Sequence, residues 1–366
     1  MPYMLTVKQT EGKPGQVYYP LQLNQVPLPT PGPRQLLIKL TAAALNHRDL
    51  FIRQHLYPGI SFTHPLLADG YGVVTQLGPD PSPAARALLD KPVLLLPTRG
   101  WESDPDGPEN LAKEFAIIGA SAATDVGTAQ EWIVLGEDDV MPAPAHLTPA
   151  EGAALPLVGV TGWRALVSKG GAHSGKGRNV LITGIGGGVA LQVLQFAVAR
   201  GCNVYVTSGD RGKIERAVAL GAKGGVSYKE KGWEKELAGM LPKDRPFLDM
   251  VVDGAGGDVV GKTVKLLKPG GVISCYGMTV GPKMDWLMQA TLKQIELKGS
   301  TMGSKAEFKE MVDFVREHKI RPVVSRVVKG LDNLEGIDGL FEDMKAGRQF
   351  GKLVIQIGGE GESPKL

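Results

Sequence analysis

The chain changes rhythm part-way along. From about residue 179, apolar runs of five to seven residues alternate with stretches whose apolar positions recur with a period near 3.6 and that end at glycine. "NVLITGI" gives way to "GVALQVLQFAVARG", "NVYVTS" to "KIERAVALGA", "GGVSY" to "WEKELAGML" and "LDMVVDGAG" to "DVVGKTVKLL", and the series closes on "GGVISCYGM". Strands that are apolar throughout are buried on both faces, so this alternation predicts βαβ units on a parallel sheet. Before residue 150 the pattern is different. Strand-like segments at 35–46, 72–78 and 91–97 are separated by "PTPGPR", "GPDPSP" and "SDPDGPEN", which are turn chemistry. That suits an antiparallel, barrel-like domain with irregular loops. In "HLTPAEGAAL", Thr148 is placed to cap a helix, Pro149 to fill its first position and Glu151 to close a capping box. From about 320 the chain returns to strand, helix and strand. The expected layout is α/β: a discontinuous first domain, 1–153 and 320–366, with a doubly wound parallel-sheet domain, 154–319, inserted into it.

Composition narrows the class. A chain of 366 residues is too long for one ordinary core and fits two. Hydrophobic residues at 43% and charged residues at 22% read as globular. The net charge is +3, and no basic block is interleaved with aromatics, so nucleic acid is not an expected partner. Cys202 and Cys275 form neither a C-x-x-C pair nor a metal-ligand cluster, which suits a reducing compartment. No apolar run approaches the roughly 20 residues of a membrane helix. "MPYMLTVKQTEGK" lacks the apolar centre of a signal peptide. A cytoplasmic protein without a membrane partner is expected. Pro364-Lys365-Leu366 nearly matches the S-K-L form of a peroxisomal address; the alternative is an exposed tail.

The candidate chemistry starts at "ITGIGGGVALQVLQFA", 182–197. The glycines fall between a strand and a helix with Val189, Val193, Leu194 and Ala197 on one face. Unpaired N–H groups at such a helix start favour an anion, and glycine lets a pyrophosphate approach the backbone. Gly184, Gly187 and Ala190 give G-x-x-G-x-x-A rather than G-x-G-x-x-G. The strand before it and the βαβ run after it are the context a dinucleotide loop requires, and dinucleotide binding is preferred to a bare turn. The tip of the next strand, "VTSGDRGKIER", offers neutral Ser208 about 20 residues on, where an NAD site carries a carboxylate. Arg211 and Lys213 follow, and a hydroxyl with cations can hold a 2′-phosphate. Asp210 is either an NAD-type acid or a cap of the following helix. Tyr228 ends the third strand near the adenosine edge or is simply packed. NADP(H) is the expected cofactor.

"AAALNHRDLFIRQHLYPG", "LLADGYGVV", "ALPLVGVTGWRAL", "VLITGIGGGVALQVLQFA", "VTSGDRGKIERAVALGA" and "FGKLVIQI" together make the chain resemble the medium-chain dehydrogenase/reductase superfamily. It looks most like the zinc-independent quinone oxidoreductase and enoyl reductase branch. The resemblance implies a GroES-like catalytic domain with a Rossmann domain inserted before its last segment. Zinc-dependent members carry ligands where this sequence has Asn46, Ala68 and Leu157, so no metal is expected. His47, beside Arg48 and Asp49, is expected to be structural or to line the site. The resemblance places Asn46 at the nicotinamide ribose and Thr161 near the nicotinamide. Gly187, Gly188 and Val189 meet the pyrophosphate, and Ser208, Lys213 and Tyr228 surround the 2′-phosphate. Tyr276, Gly277 and Met278 end a central strand at the crevice. Thr301, Met302 and Gly303, with Phe350, Gly351 and Lys352, close over the nicotinamide. Gly303 and Gly351 are alternatively turn glycines, and Thr161 a hydroxyl bonded to its own helix.

Without a metal, a substrate oxygen must be polarised by hydrogen-bond donors. Reduction of a quinone or an α,β-unsaturated carbonyl by NADPH is then expected. An enoyl-thioester (acyl-CoA) reductase is the alternative, for which Arg48, Arg53 and Arg99 are the candidate basic patch. A cofactor-binding interaction protein without turnover is a further one. Tyr57 and Tyr71 are candidate catalytic donors to a developing enolate, each alternatively packed. Trp101 either lines the substrate or anchors its loop. The resemblance also implies a homodimer through sheet edges, with "MDWLM" after the last strand as interface material.

Overall fold

The structure is a computed structural model and describes residues 1–109 and 115–357. The Pro364-Lys365-Leu366 tail lies outside the described residues. Two compact units divide the chain: Met1–Leu157 with the chain from Ser304 onward, and Val158–Gly303.

In the first unit, β1 (Tyr3–Val7) and β2 (Leu21–Gln25) form an antiparallel pair. The larger sheet is built around β3 (Gln35–Ala44), which runs directly into α1 (His47–Arg53). β4 (Asp69–Leu77) returns along β3 with Asp69 opposite Ala44. Past α2 (Pro83–Arg86), β5 (Pro92–Leu95) pairs with β4. β6 (Thr98–Arg99) pairs with β7 (Ala116–Ile117), β8 (Trp132–Gly136) lies on β3, and β9 (Val140–Pro142) on β5. α3 (Pro149–Ala153) is capped as its sequence predicts: Thr148 Oγ1 accepts the Glu151 N–H at 3.3 Å, and the Glu151 carboxylate accepts the Thr148 N–H at 2.8 Å. α4 (Pro156–Trp163) follows.

The second unit is one parallel sheet of β10 (Asn179–Ile182), β11 (Asn203–Ser208), β12 (Gly224–Ser227), β13 (Leu248–Asp253), β14 (Leu267–Cys275) and β15 (Glu296–Gly299). Its crossovers carry α5 (Gly188–Ala199), α6 (Arg211–Ala219), α7 (Trp233–Met240), α8 (Val259–Thr263) and α9 (Met288–Leu292). The strand order is β12-β11-β10-β13-β14-β15, the Rossmann order. Every residue of β10 and β13 is buried, which is why both read as predominantly apolar, with Asn179, Asp249 and Asp253 the buried polar exceptions. The order reverses between these two strands, so the loops after them flank the crevice where ligands bind in such sheets.

The chain then rejoins the first unit through α10 (Lys305–His318), β16 (Val324–Lys329), α11 (Leu334–Lys345) and β17 (Lys352–Gln356). β17 pairs antiparallel with β3, Val354 opposite Ala44, and β16 runs parallel to β17. α11 brings Ile337, Leu340, Phe341 and Met344 into one core with Leu5, Val7, Leu353 and Ile355.

The unit boundaries fall at 157/158 and 303/304, not at the expected 153/154 and 319/320. The difference is α10. Its Phe308, Met311, Val312 and Val315 are buried, and Lys305 N donates to Trp101 O at 2.9 Å, while Arg316 reaches Pro142 O at 3.0 Å. A strand–helix rhythm does not tell which core a helix faces. Among the described residues no helix is long and apolar enough to cross a membrane.

Candidate functional site

The glycine loop follows β10 as expected. Gly184 has φ +63° and Gly186 φ +126°, so the turn uses backbone space open to glycine. Gly187 caps α5, and Gly188 and Val189 form its first turn with no acidic residue. Val193, Leu194 and Ala197 are fully buried, but Val189 is only half-buried; the tight helix–sheet contact is made by Ala190, 1% exposed. A Cβ on Gly186 would lie 2.9 Å from Lys213 Cδ, so the Lys213 stem lies along the loop. Its ammonium pKa is lowered, chiefly by burial.

At the tip of β11, Ser208 is buried and its Oγ accepts the Asp210 N–H at 3.2 Å. Asp210 is the cap of α6: Oδ1 accepts the Gly212 N–H at 2.8 Å. Tyr228 N donates to Ser208 O at 3.1 Å, and its ring is half-exposed. A Cβ on Gly209 would meet the Tyr228 hydroxyl at 2.7 Å and Lys229 Cε at 2.8 Å. Ser208, Tyr228 and Lys229 therefore meet at one strand tip, with Lys213 on the adjoining glycine loop. Arg211 pairs with Glu230 at 3.7 Å instead. Lys229 was missed in the sequence reading, although its place next to Tyr228 was the signal.

The loops after β10 and β13 are tied together. Thr183 Oγ1 donates to Asp253 Oδ1 at 2.5 Å, and Asp253 Oδ2 accepts the Gly256 N–H at 2.9 Å. The Tyr276 ring lies against Gly254, where a Cβ would sit 2.4 Å from its hydroxyl, and burial raises the phenol pKa. Gly277 is half-buried, and Met278, exposed, touches Gly256. Thr161 Oγ1 donates to Met302 Sδ at 3.6 Å rather than to its own helix, and Met302 takes φ +48° between Thr301 and Gly303.

The first unit contributes a second constellation. β3, β4 and β17 all have an end at the same edge of the sheet, and that edge holds Asn46, Asp69 and Lys352. Lys352 Nζ donates to Leu45 O at 2.6 Å, Asn46 Oδ1 at 2.7 Å and Asp69 Oδ2 at 2.8 Å. Asn46 Nδ2 donates to the same Asp69 oxygen at 2.8 Å, and Leu157 N to Oδ1 at 2.7 Å. Asp69 is 0% exposed and Lys352 4%. Asp49 accepts the Asn46 N–H at 2.7 Å; burial raises its pKa to about 6 despite Arg48 beside it at 3.3 Å. Lys352 was expected at the nicotinamide, and sequence reasoning gave no role to Asp69. Only the strand pairing joins the two. Gly351, at φ +109°, is a turn glycine whose Cβ would lie 2.2 Å from Val323 O, and Phe350 N donates to Ser325 Oγ at 3.1 Å.

The remaining candidates separate. Tyr57 is partly exposed with the Arg48 guanidinium 4.8 Å from its ring centre. Tyr71 is packed on Gly152, where a Cβ would lie 2.2 Å from the ring. Trp101 is buried and anchors its loop, Nε1 donating to Asp104 O at 2.9 Å. The three arginines do not form a basic patch. Arg48 donates to Ile118 O and Gly119 O, Arg53 to Tyr19 O and Asp338, and Arg99 to Leu96 O and Thr98 O.

These residues do not suit a zinc ion. A carboxamide, a methyl and an isobutyl group stand at Asn46, Ala68 and Leu157, and the Lys352 ammonium beside Asn46 would repel a dication. His47 is exposed, its ring edge-on to Phe51 at 4.6 Å. Among the described residues no group of three or more His, Cys, Asp or Glu could hold a metal.

Two family models match the chain: an alcohol dehydrogenase GroES-like domain over residues 32–145 and a zinc-binding dehydrogenase over 188–317. Zinc-type alcohol dehydrogenase-like protein YogA of Leptosphaeria maculans is 56% identical over 359 residues, 98% of this chain and 100% of that protein. Crotonyl-CoA reductase of Streptomyces collinus is 27% identical over 348 residues, 84% of this chain and 75% of that one. The crystal structure of an NAD-dependent alcohol dehydrogenase superposes with a TM-score of 0.82 at 31% identity, covering 98% of this chain and 100% of that chain. A relative so similar along its whole length, with family models that between them reach both units, makes this chain a member of the medium-chain dehydrogenase/reductase superfamily of oxidoreductases.

Proposed function

We propose that the chain is an NADPH-dependent reductase that works without zinc and reduces a quinone or a double bond conjugated with a carbonyl. The observation that carries this reading is the Lys352–Asp69–Asn46 cluster, which sets an ammonium against the carboxamide of Asn46, a position at which the resemblance places a ligand in the zinc-dependent branch. Oxidising a simple alcohol requires its proton to be drawn off near neutral pH, which is the metal's task. A conjugated acceptor needs only a hydrogen-bond donor at the oxygen where charge develops. Asn46 is the proposed donor. Tyr57, the less buried of the two tyrosines, is proposed to return a proton, and Tyr71 to shape the site. Bound NADPH supplies the hydride.

The preference for NADPH rests on Ser208, Lys213, Tyr228 and Lys229, and on Asp210 being engaged as a helix cap. Arg211 is proposed to act only at longer range, since Glu230 competes for it. Thr183 and Asp253 hold the loops that would receive the pyrophosphate and nicotinamide. Because an NAD-dependent enzyme shares the fold at 31% identity, the choice of cofactor is carried by these side chains and not by likeness.

An enoyl-thioester substrate is the second reading, favoured by the similarity to crotonyl-CoA reductase. The engagement of Arg48, Arg53 and Arg99 with carbonyls weakens it. We also propose a homodimer. β15 pairs only with β14 among the described residues, and Trp286, Met288, Leu292 and Leu297 are exposed near that edge. β15 follows "MDWLM", so β14 is not the last strand of the sheet.

The test is NADPH oxidation with 9,10-phenanthrenequinone, an enone and crotonyl-CoA, and NADP⁺ reduction with a primary alcohol, each with and without 1,10-phenanthroline. Turnover of a conjugated acceptor that survives the chelator is expected. Activity on the alcohol alone, lost on chelation, would overturn the proposal. Tight NADPH binding without any turnover would favour an interaction protein.

A further inference from the structure

We infer that the Lys352–Asp69 pair is a positioning device that fixes which way the Asn46 carboxamide faces, so that Asn46 meets the substrate only as a hydrogen-bond donor. The inference rests on the reductase reading above and names how its oxygen-binding group is set.

The two ends of a carboxamide are nearly equal in size, so packing alone does not choose between them. Chemistry does here. Lys352 carries three donors and no acceptor, and stands 2.7 Å from Asn46 Oδ1. The Asp69 carboxylate, ion-paired with that ammonium, only accepts, and stands 2.8 Å from Asn46 Nδ2. Turning the amide over would set NH₂ against NH₃⁺ and a carbonyl against a carboxylate. Both contacts would be repulsive, at a site where little water screens them.

The rest of the cluster leaves no slack. Lys352 uses its three N–H groups on Leu45 O, Asn46 Oδ1 and Asp69 Oδ2. Asp69 Oδ1 is taken by the Leu157 N–H. One Asn46 amide hydrogen is bound by Asp69, and the other has no acceptor among the described residues. The neighbouring ammonium, pulling on Oδ1, also polarises that remaining N–H and makes it a better donor. A negative charge developing on a carbonyl oxygen would be met by it.

The experiment compares three forms. Asn46→Leu removes the donor at similar volume. Asp69→Asn/Lys352→Met replaces the ion pair by neutral groups, a change that buried pairs often tolerate, and so keeps the protein foldable. The third form combines all these changes. Asn46→Leu should lower kcat on the order of 10²-fold with the substrate KM changed far less. The neutral double variant should lose kcat by at least roughly tenfold with the same split, and add nothing to Asn46→Leu. Equal losses in the two backgrounds, or unchanged kcat in the double variant, would overturn the inference.

A second readout needs no turnover. In the wild-type protein the Asn46 side-chain amide should show one hydrogen protected from solvent exchange and one exchanging, by ¹⁵N-resolved NMR. In the double variant both should exchange. Equal exchange in the wild type overturns the inference whatever the activity. The expected asymmetry in a protein that reduces no acceptor supports the device and fails the reductase reading alone.

Discussion

Lys213 lies along Gly186 and Lys229 along Gly209, and in the proposed reading these two ammonium groups take the place of the carboxylate that would discriminate against a 2′-phosphate. Lys213→Ala should weaken NADPH by about 1–3 kcal/mol and NADH hardly at all, read by fluorescence titration of the two cofactors. Lys229→Ala should act in the same direction. Equal losses for both cofactors would remove the 2′-phosphate assignment. Asp49 gives a second prediction. Its folded pKa, raised to about 6, lies above the ordinary 3.8, so folding disfavours the charged form. Both states are protonated below pH 4 and both ionised above pH 6, so stability should fall by about 3 kcal/mol between those values and then level off. Asp49→Asn should flatten that slope in urea titrations at a series of pH values. At this scale the side chains proposed for the cofactor could be named from sequence, because the tip of the second strand is a fixed distance from the glycine loop. Asp69 was not legible. Its significance comes from Lys352, 283 residues away, and no local pattern points across that span.

Among the elements, strands buried on both faces announced themselves. β10, β11 and β13 read as mostly apolar runs, and the helices between them as periodic ones. β15, "ELKG", did not, because an edge strand has no need of apolar residues. α10 was not singled out in the sequence, and its place in the first unit shows only in the residues it buries. The element with most influence on the candidate site is β17, whose first residue is Lys352. Its start depends on Gly351. At φ +109°, with Val323 O 2.2 Å from where a Cβ would be, alanine is excluded both by conformation and by contact. Gly351→Ala should cost at least about 2 kcal/mol in urea unfolding. It should also lower kcat further than the reduced folded fraction accounts for, because Lys352 would be displaced.

For the molecule as a whole, the α/β architecture and the inserted parallel sheet were visible in the change of rhythm alone. The exact seams were not, since they depend on which core a helix meets. The proposed homodimer is a whole-molecule property with a local test. Met288→Asp/Leu292→Asp changes two exposed side chains, 69% and 72% accessible, and should leave folding intact. Sedimentation should then report a monomer where the wild type is a dimer; an unchanged sedimentation coefficient would place the interface elsewhere or deny it.

The closing of the first sheet by β17 has a consequence for synthesis. Asn46 and Asp69 leave the ribosome long before Lys352, 283 residues after Asp69, whose ammonium neutralises that carboxylate. Until Lys352 emerges the nascent first unit therefore carries a carboxylate without this counter-charge and an open edge on β3. The parallel-sheet unit, whose strands all lie between residues 179 and 299, is complete before that debt is settled. Ribosome-bound chains stalled just before β17 should thus protect the second unit from protease while leaving the first one open.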